Sequence, residues 1–112
     1  MSAQQTSTSP AGSAPVRITM PYQLRTLAGV DGEVVVAVEP PVTLAATLDA
    51  LEATHPPLVG TIRERQTGAR RPMIRIYAAG EDYSDAAAGS ELPATVATGR
   101  EPLRLVGSIA GG

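Results

Sequence analysis

Apolar and polar residues alternate in the stretch VRITM: Val16, Ile18 and Met20 fall on one side, Arg17 and Thr19 on the other. That is the period of a strand with one buried face. A second strand is predicted over EVVVAV, Glu33 to Val38, where β-branched residues crowd together. Asp31-Gly32 supplies turn chemistry just before it, so the two strands form an antiparallel hairpin with PYQLRTLAGVDG as a long loop. Pro40-Pro41 stops any sheet, and the period then changes. Leu44, Leu48 and Leu51 stand at i, i+4 and i+7 behind Thr43 as N-cap, which predicts an amphipathic helix of about three turns. His55-Pro56-Pro57 ends it, because proline lacks the N–H for the helical ladder and restricts the residue before it. Leu58 to Pro72 reads as a helical turn followed by an exposed loop. Met73, Arg75 and Tyr77 then alternate against Ile74 and Ile76 in a third strand, whose end is marked by Gly80-Glu81-Asp82. SDAAAGSELPATVATGREP reads as turn-rich, and the last strand is Leu103 to Val106.

The order β-β-α-β-β predicts an α+β domain in which a mixed sheet of four to five strands packs one face on one main helix. The first and last strands can lie side by side, parallel, at the sheet centre. Residues 15–106 are expected to form this single domain. Residues 1–14, rich in Ser, Thr, Gln, Ala and Pro, cannot bury enough apolar area to offset ordering entropy and are expected to be disordered. Residues 107–112 are expected to be a flexible tail.

Composition narrows the chemistry. With 112 residues there is room for one core, and with no Phe, no Trp and three Tyr that core is aliphatic. No cysteine means no disulfide, no thiolate metal site and no cysteine nucleophile. A net charge of -2 gives no electrostatic reason to expect nucleic acid or an anionic membrane as partner. No apolar run has transmembrane length, and the N-terminal stretch lacks the pattern of a secretory signal, so a cytoplasmic protein is expected. His55 is the only histidine, which suits a helix C-cap better than a metal site or a triad. Glu81-Asp82 sits where a turn wants polar residues. Neither phosphate-loop spacing occurs, and neither a catalytic residue nor a metal ligand set is expected. Arg63, Arg65, Arg70 and Arg71 form a basic cluster that reads either as a solvated loop or as a surface docking an acidic partner, with Arg70 and Arg71 the candidate docking residues. All nine basic residues are arginine, so the chain offers no side-chain amine for acylation.

The remaining chemistry lies at LVGSIAGG, where an apolar run ends in Gly111-Gly112. Glycines have no side chain, so such a segment can enter a narrow channel with its carbonyl open to attack from either face. Six residues from Gly107 reach about 20 Å when extended. On this reading the chain is a substrate or carrier for other enzymes.

Four segments, VRITMPYQLRTLAG, TLAATLDALEATHPPL, IRIYAAGED and LVGSIAGG, taken in that order, resemble the ubiquitin-like β-grasp sulfur carriers. That family includes the small subunit of molybdopterin synthase and the carriers of thiamine and cysteine biosynthesis. Ala79 stands where the family's NGED turn has Asn. The resemblance implies a β-grasp fold and a C-terminus, Gly112, that is adenylylated and then carries sulfur as a thiocarboxylate. It implies that Gly111, Ala110 and Ile109 thread into a partner's active site. The implied partners are a ubiquitin-activating-like adenylyltransferase and sulfurtransferase, which uses the ATP, and a downstream sulfur-accepting enzyme; the carrier itself holds no cofactor. Two alternatives stay open: a protein modifier joined through Gly112 to target lysines, and a β-grasp interaction domain.

Overall fold

The computed structural model describes residues 13–107. The first alternating stretch forms strand β1 (Ala14–Thr19), which starts two residues before the alternation and so takes in Ala14, the last residue of the segment expected to be disordered. Val16 and Ile18 are wholly buried. The β-branched run forms β2 (Val34–Val38) with Val34, Val36 and Val38 inward, and it pairs antiparallel to β1 with Val16 opposite Val36. The hairpin expectation holds.

Its connection is not a plain loop. Tyr22–Ala28 forms helix α1, seven residues that bury only Leu24. One buried residue in two turns leaves no i, i+4, i+7 signature for a periodicity argument to find. The end signals were present, however. Pro21 precedes the first turn, its carbonyl accepting from Leu24 and Arg25 N–H, and Gly29 closes the last turn in the left-handed conformation.

Helix α2 (Leu44–Thr54) follows the predicted period and buries Leu44, Thr47, Leu48 and Leu51. Thr43 is its N-cap, with Oγ1 accepting from Ala46 N–H at 3.1 Å, and His55 is its C-cap. The buried Thr47 hydroxyl donates to Thr43 O at 2.8 Å, which removes the cost of burying it. Two further N-terminal amides of α2 donate to carbonyls of the turn-rich segment, Leu44 N to Ser90 O and Ala45 N to Ala88 O. The segment that read as loop is therefore part of the cap. After a 3-10 turn at Pro56–Leu58 come β3 (Ile74–Ala78), β4 (Glu81–Asp82), a short helix α3 (Ala94–Ala97) and β5 (Leu103–Gly107).

The five strands form one mixed sheet in the order β2-β1-β5-β3-β4. β5 lies in the middle, parallel to β1 and antiparallel to β3. One face, carrying Ile18, Val36, Ile76, Leu103 and Leu105, packs on α2 to make a single aliphatic core. Each such fully buried side chain contributes about 1.5–3 kcal/mol of transfer free energy. The turn between β3 and β4 is a two-residue one with Ala79 at φ 51° and Gly80 at φ 80°, the geometry of a primed hairpin turn. Ala79 therefore occupies a left-handed position that Asn tolerates better, which explains the strain hidden in the family-level departure.

Gly99 follows α3 and brings the chain against β1. Its φ is +84°, and a Cβ there would lie 2.5 Å from Pro15 O, a backbone atom that cannot swing aside. Arg17, two residues along β1, holds the same place, donating to Gly99 O and Arg100 O while paired with Glu33 at 2.7 Å. Gly99→Ala is expected to destabilise the domain by about 2 kcal/mol or more, read as a lower midpoint in urea. A midpoint equal to wild type would contradict this packing.

Candidate functional site at the exit of the central strand

A parallel partner fixes which end of a strand faces which way. Because Ile18 pairs with Leu103 and Thr19 with Arg104, β5 ends at the same end of the sheet where β1 hands over to α1. On its other side the last pair is Gly107 with Ile74, at the start of β3. Gly107, expected to begin the tail, is thus the last residue of a strand. Ile109, Ala110, Gly111 and Gly112 lie outside the described residues, as do residues 1–12 of the N-terminal stretch.

The strand that holds Gly107 is itself held. Arg70 donates from Nη1 to Ile74 O at 2.7 Å and to Arg71 O at 3.1 Å, from Nε to Ser84 O at 2.7 Å, and pairs with Asp85 at 3.2 Å. A planar guanidinium with donors in a fixed fork can close several carbonyls in this way. Arg71 donates from Nε to Gly60 O at 2.9 Å. Arg63 turns to α2 instead, meeting Glu52 through two nitrogens and Asp49 at 2.8 Å. The arginine cluster is thus mostly an internal tie, with Arg70 and Arg71 directed at the chain's own carbonyls. Arg65 alone of the four has no hydrogen bond or ion pair among the described residues. Sequence spacing shows four cations together; it does not show which carbonyls they close.

The opposite flank of β3 needs help because β4 is only two residues long. Ile76 N–H donates to the Ser84 hydroxyl oxygen at 2.9 Å, and Ile76 O accepts from Tyr83 N–H at 2.7 Å. Ser84 N–H in turn donates to Asp82 at 2.8 Å, and Asp82 also pairs with Arg75. Hydrogen bonds from the Ser84 hydroxyl and backbone, then the Arg75 guanidinium, pull the Asp82 carboxyl down from the usual 3.8 to about 2. Glu81-Asp82 is therefore a structural turn and edge, as its position suggested.

A cleft of about 350 Å³ opens beside α2, with Leu44, Leu48 and Ile76 in its floor and Arg63, Arg70 and Asp85 on its walls. Its charged groups are already engaged, Arg63 with Glu52 and Asp49 and Arg70 with Asp85 and backbone carbonyls. Among the described residues no group of three His, Cys, Asp or Glu side chains could hold a metal ion. No helix there is long and apolar enough to cross a membrane.

No protein-family model matches the chain, and no curated protein matches it in sequence. Solved structures do match. Small archaeal modifier protein 1 of Haloferax volcanii superposes with a TM-score of 0.69 at 27% identity over 86% of this chain and 99% of that one. The chain is a small ubiquitin-like β-grasp protein. The same fold is seen in the BexX/CysO complex of Amycolatopsis orientalis, with a TM-score of 0.66 at 20% identity over 87% of this chain and 99% of that one. It recurs in small archaeal modifier protein 1 of Methanosarcina acetivorans, with a TM-score of 0.67 at 18% identity over 89% of this chain and 98% of that one. At these two lower identities the likeness is one of fold. The likeness to these neighbours is that of a shared small ubiquitin-like β-grasp fold.

In this β-grasp protein the Asp82 network stabilises the β3–β4 edge of the sheet in a pH-dependent way. A carboxyl whose folded pKa is depressed contributes stability that is complete above its unfolded pKa and disappears as pH falls through the folded one. The contribution should therefore be lost between pH 3.8 and about 2. Asp82→Asn is expected to flatten the fall of the urea midpoint across that window relative to wild type. Equal slopes for the two proteins would show that Asp82 is not bonded as described.

Proposed function

We propose that the chain is a sulfur carrier whose reactive group is the Gly112 carboxylate. A carboxylate oxygen attacks the α-phosphate of ATP in a partner enzyme and pyrophosphate leaves. Hydrosulfide then attacks the carbonyl carbon of the mixed anhydride, the C–S bond forms as the C–O bond to phosphate breaks, and AMP leaves, giving a thiocarboxylate. Activation is required because carboxylate oxygen is a very poor leaving group, whereas the anhydride is readily attacked. The thiocarboxylate passes its sulfur to a small molecule in a second enzyme, in molybdopterin, cysteine or a related sulfur metabolism. The chain contributes positioning and no catalytic group.

The observation that carries this reading is the central strand. β5 is paired with β1 as far as Arg104 and with β3 as far as Gly107, and Gly112 is the fifth residue after Gly107. A rigid domain followed by a short glycine-ended segment suits delivery of a terminus into another protein. The neighbouring folds support the class. A second reading has its own support, since Haloferax neighbours at 25% and 27% identity carry the name modifier: Gly112 would then be joined to lysines of target proteins. The absence of lysine excludes lysine-linked chains of this protein on itself. Gly-Gly remnants on lysines of other proteins would favour that second reading.

Deleting Gly112 is expected to abolish ATP-dependent adenylylation while leaving the thermal transition in place, because the sheet's last described pair is Gly107 with Ile74. Adenylylation that survives the deletion would contradict the carrier reading.

A further inference from the structure

Among the described residues the arginines divide by what their guanidinium groups do. Arg17, Arg63, Arg70, Arg71 and Arg75 bond acidic side chains or backbone carbonyls. Arg25 lies over the Tyr22 ring and donates to Asp31 O. The side chains of Arg65, Arg100 and Arg104 make no hydrogen bond or ion pair among the described residues. Of these three, Arg104 is the one set in the central strand. It is the second residue of β5, in register with Thr19 on β1 and Tyr77 on β3. Leu103 and Leu105 on either side of it face α2, so the alternation of a strand puts Arg104 on the open face, where it is exposed. The contacts described there do not call for a guanidinium in place of an amine.

Distance from the terminus gives the position its chemistry. Arg104 precedes Gly107 by three residues, about 10 Å along a strand. The five residues from Gly107 to Gly112 span up to about 17 Å, so the terminal carbonyl can reach the open face over position 104. A group tethered at that range meets it at an effective concentration of roughly millimolar. Resting on the carrier reading above, we propose that arginine at position 104 is a specificity residue, a cation within reach of the activated terminus that cannot capture it. An acyl adenylate acylates an amine: the nitrogen attacks the carbonyl carbon, the C–N bond forms as the C–O bond to phosphate breaks, AMP leaves and the ammonium proton passes to water. An amine at position 104 would close the chain into a lactam and end its service as a carrier. A guanidinium stays protonated at neutral pH, with its electrons delocalised, and does not attack. The neighbouring hydroxyls of Thr19 and Tyr77 are weak nucleophiles without a general base. The chain has no lysine and no cysteine, and its single imidazole, His55, caps α2 on the other side of the sheet. Effective acceptors of the activated glycyl group therefore come from outside the chain.

The test incubates the full chain with the activating enzyme purified from the native cell, ATP and sulfide, and reads the intact mass and the peptide 101–112. Arg104→Lys keeps the charge, so a cation that serves only to dock a partner predicts wild-type behaviour. The proposal predicts instead a species lighter by one water, with Gly112 joined to the new amine, and a thiocarboxylate yield lower by roughly threefold or more. Two controls are expected to give no lighter species. Arg104→Gln brings neither charge nor amine. Glu91→Lys places an amine beside Thr43 at the start of α2, at the opposite end of the sheet and on its covered side. Circular dichroism and the melting curve verify that each variant is folded. Wild-type yield from Arg104→Lys with no lighter species would overturn the proposal and leave the carrier reading intact. Isopeptide-linked dimers in place of the closed loop, or a lighter species from Glu91→Lys, would overturn it as well, because reach along the chain would then decide nothing. If no enzyme adenylylates the wild-type chain, the carrier reading falls and the proposal with it.

Discussion

The parallel pairing of β1 with β5 is the constraint on which the rest of the structure depends. Two antiparallel strands can be joined by a hairpin, but two parallel ones need a crossover of a dozen residues or more. Here the crossover is almost the whole chain, from β2 through α2 and β3 to α3, and its apolar faces fill the single core. Placing the final strand at the centre has two consequences. It bonds β5 on both sides, and it brings α1, the start of β3 and the last residue of β5 to one end of the molecule. The site and the scaffold are therefore the same pairing seen from two directions.

Long-range ties act in support of that pairing. Arg17 links β1 to Glu33 and to the carbonyls after α3, and Arg70 links the start of β3 to Ser84 and Asp85. Exposed ion pairs stabilise little by themselves. These arginines also close backbone carbonyls in loops that lack ladder partners, and an unmade bond there would cost about 1–3 kcal/mol where the carbonyl is buried. Their value lies in the carbonyls more than in the charges.

How much of this was legible in the sequence depended on the range of the interaction. Strands β1, β2 and β3 and helix α2 with its Thr43 cap were readable because period and capping are local properties of the chain. The central place of the last strand was readable as well, because a β-grasp order leaves it no edge. Helix α1 escaped because a seven-residue helix with only Leu24 buried has no period, although Pro21 and Gly29 bracket it. The caps from Ala88 and Ser90 escaped because they close the amides of Ala45 and Leu44, distant in the chain, and helix α3 because it is four residues long and packs on the far-off β1. Arg70 and Arg71 were seen as a pair of cations, but their carbonyl partners are set by the folded loops.

The chain thus combines a rigid central strand, a surface without lysine and a glycine-ended terminus, features that suit a protein handled by other enzymes. The most direct measurement is the intact mass of untagged protein from its native cell, followed by reaction with an electrophilic thiol probe and mapping of the C-terminal peptide. Methionine oxidation adds nearly the same mass as a sulfur-for-oxygen exchange, but Met1, Met20 and Met73 all lie outside that peptide. The account predicts a fraction heavier by that exchange, with the probe attached at Gly112. A C-terminal peptide that stays unmodified both in the cell extract and after incubation with that extract, ATP and a sulfur donor would contradict it.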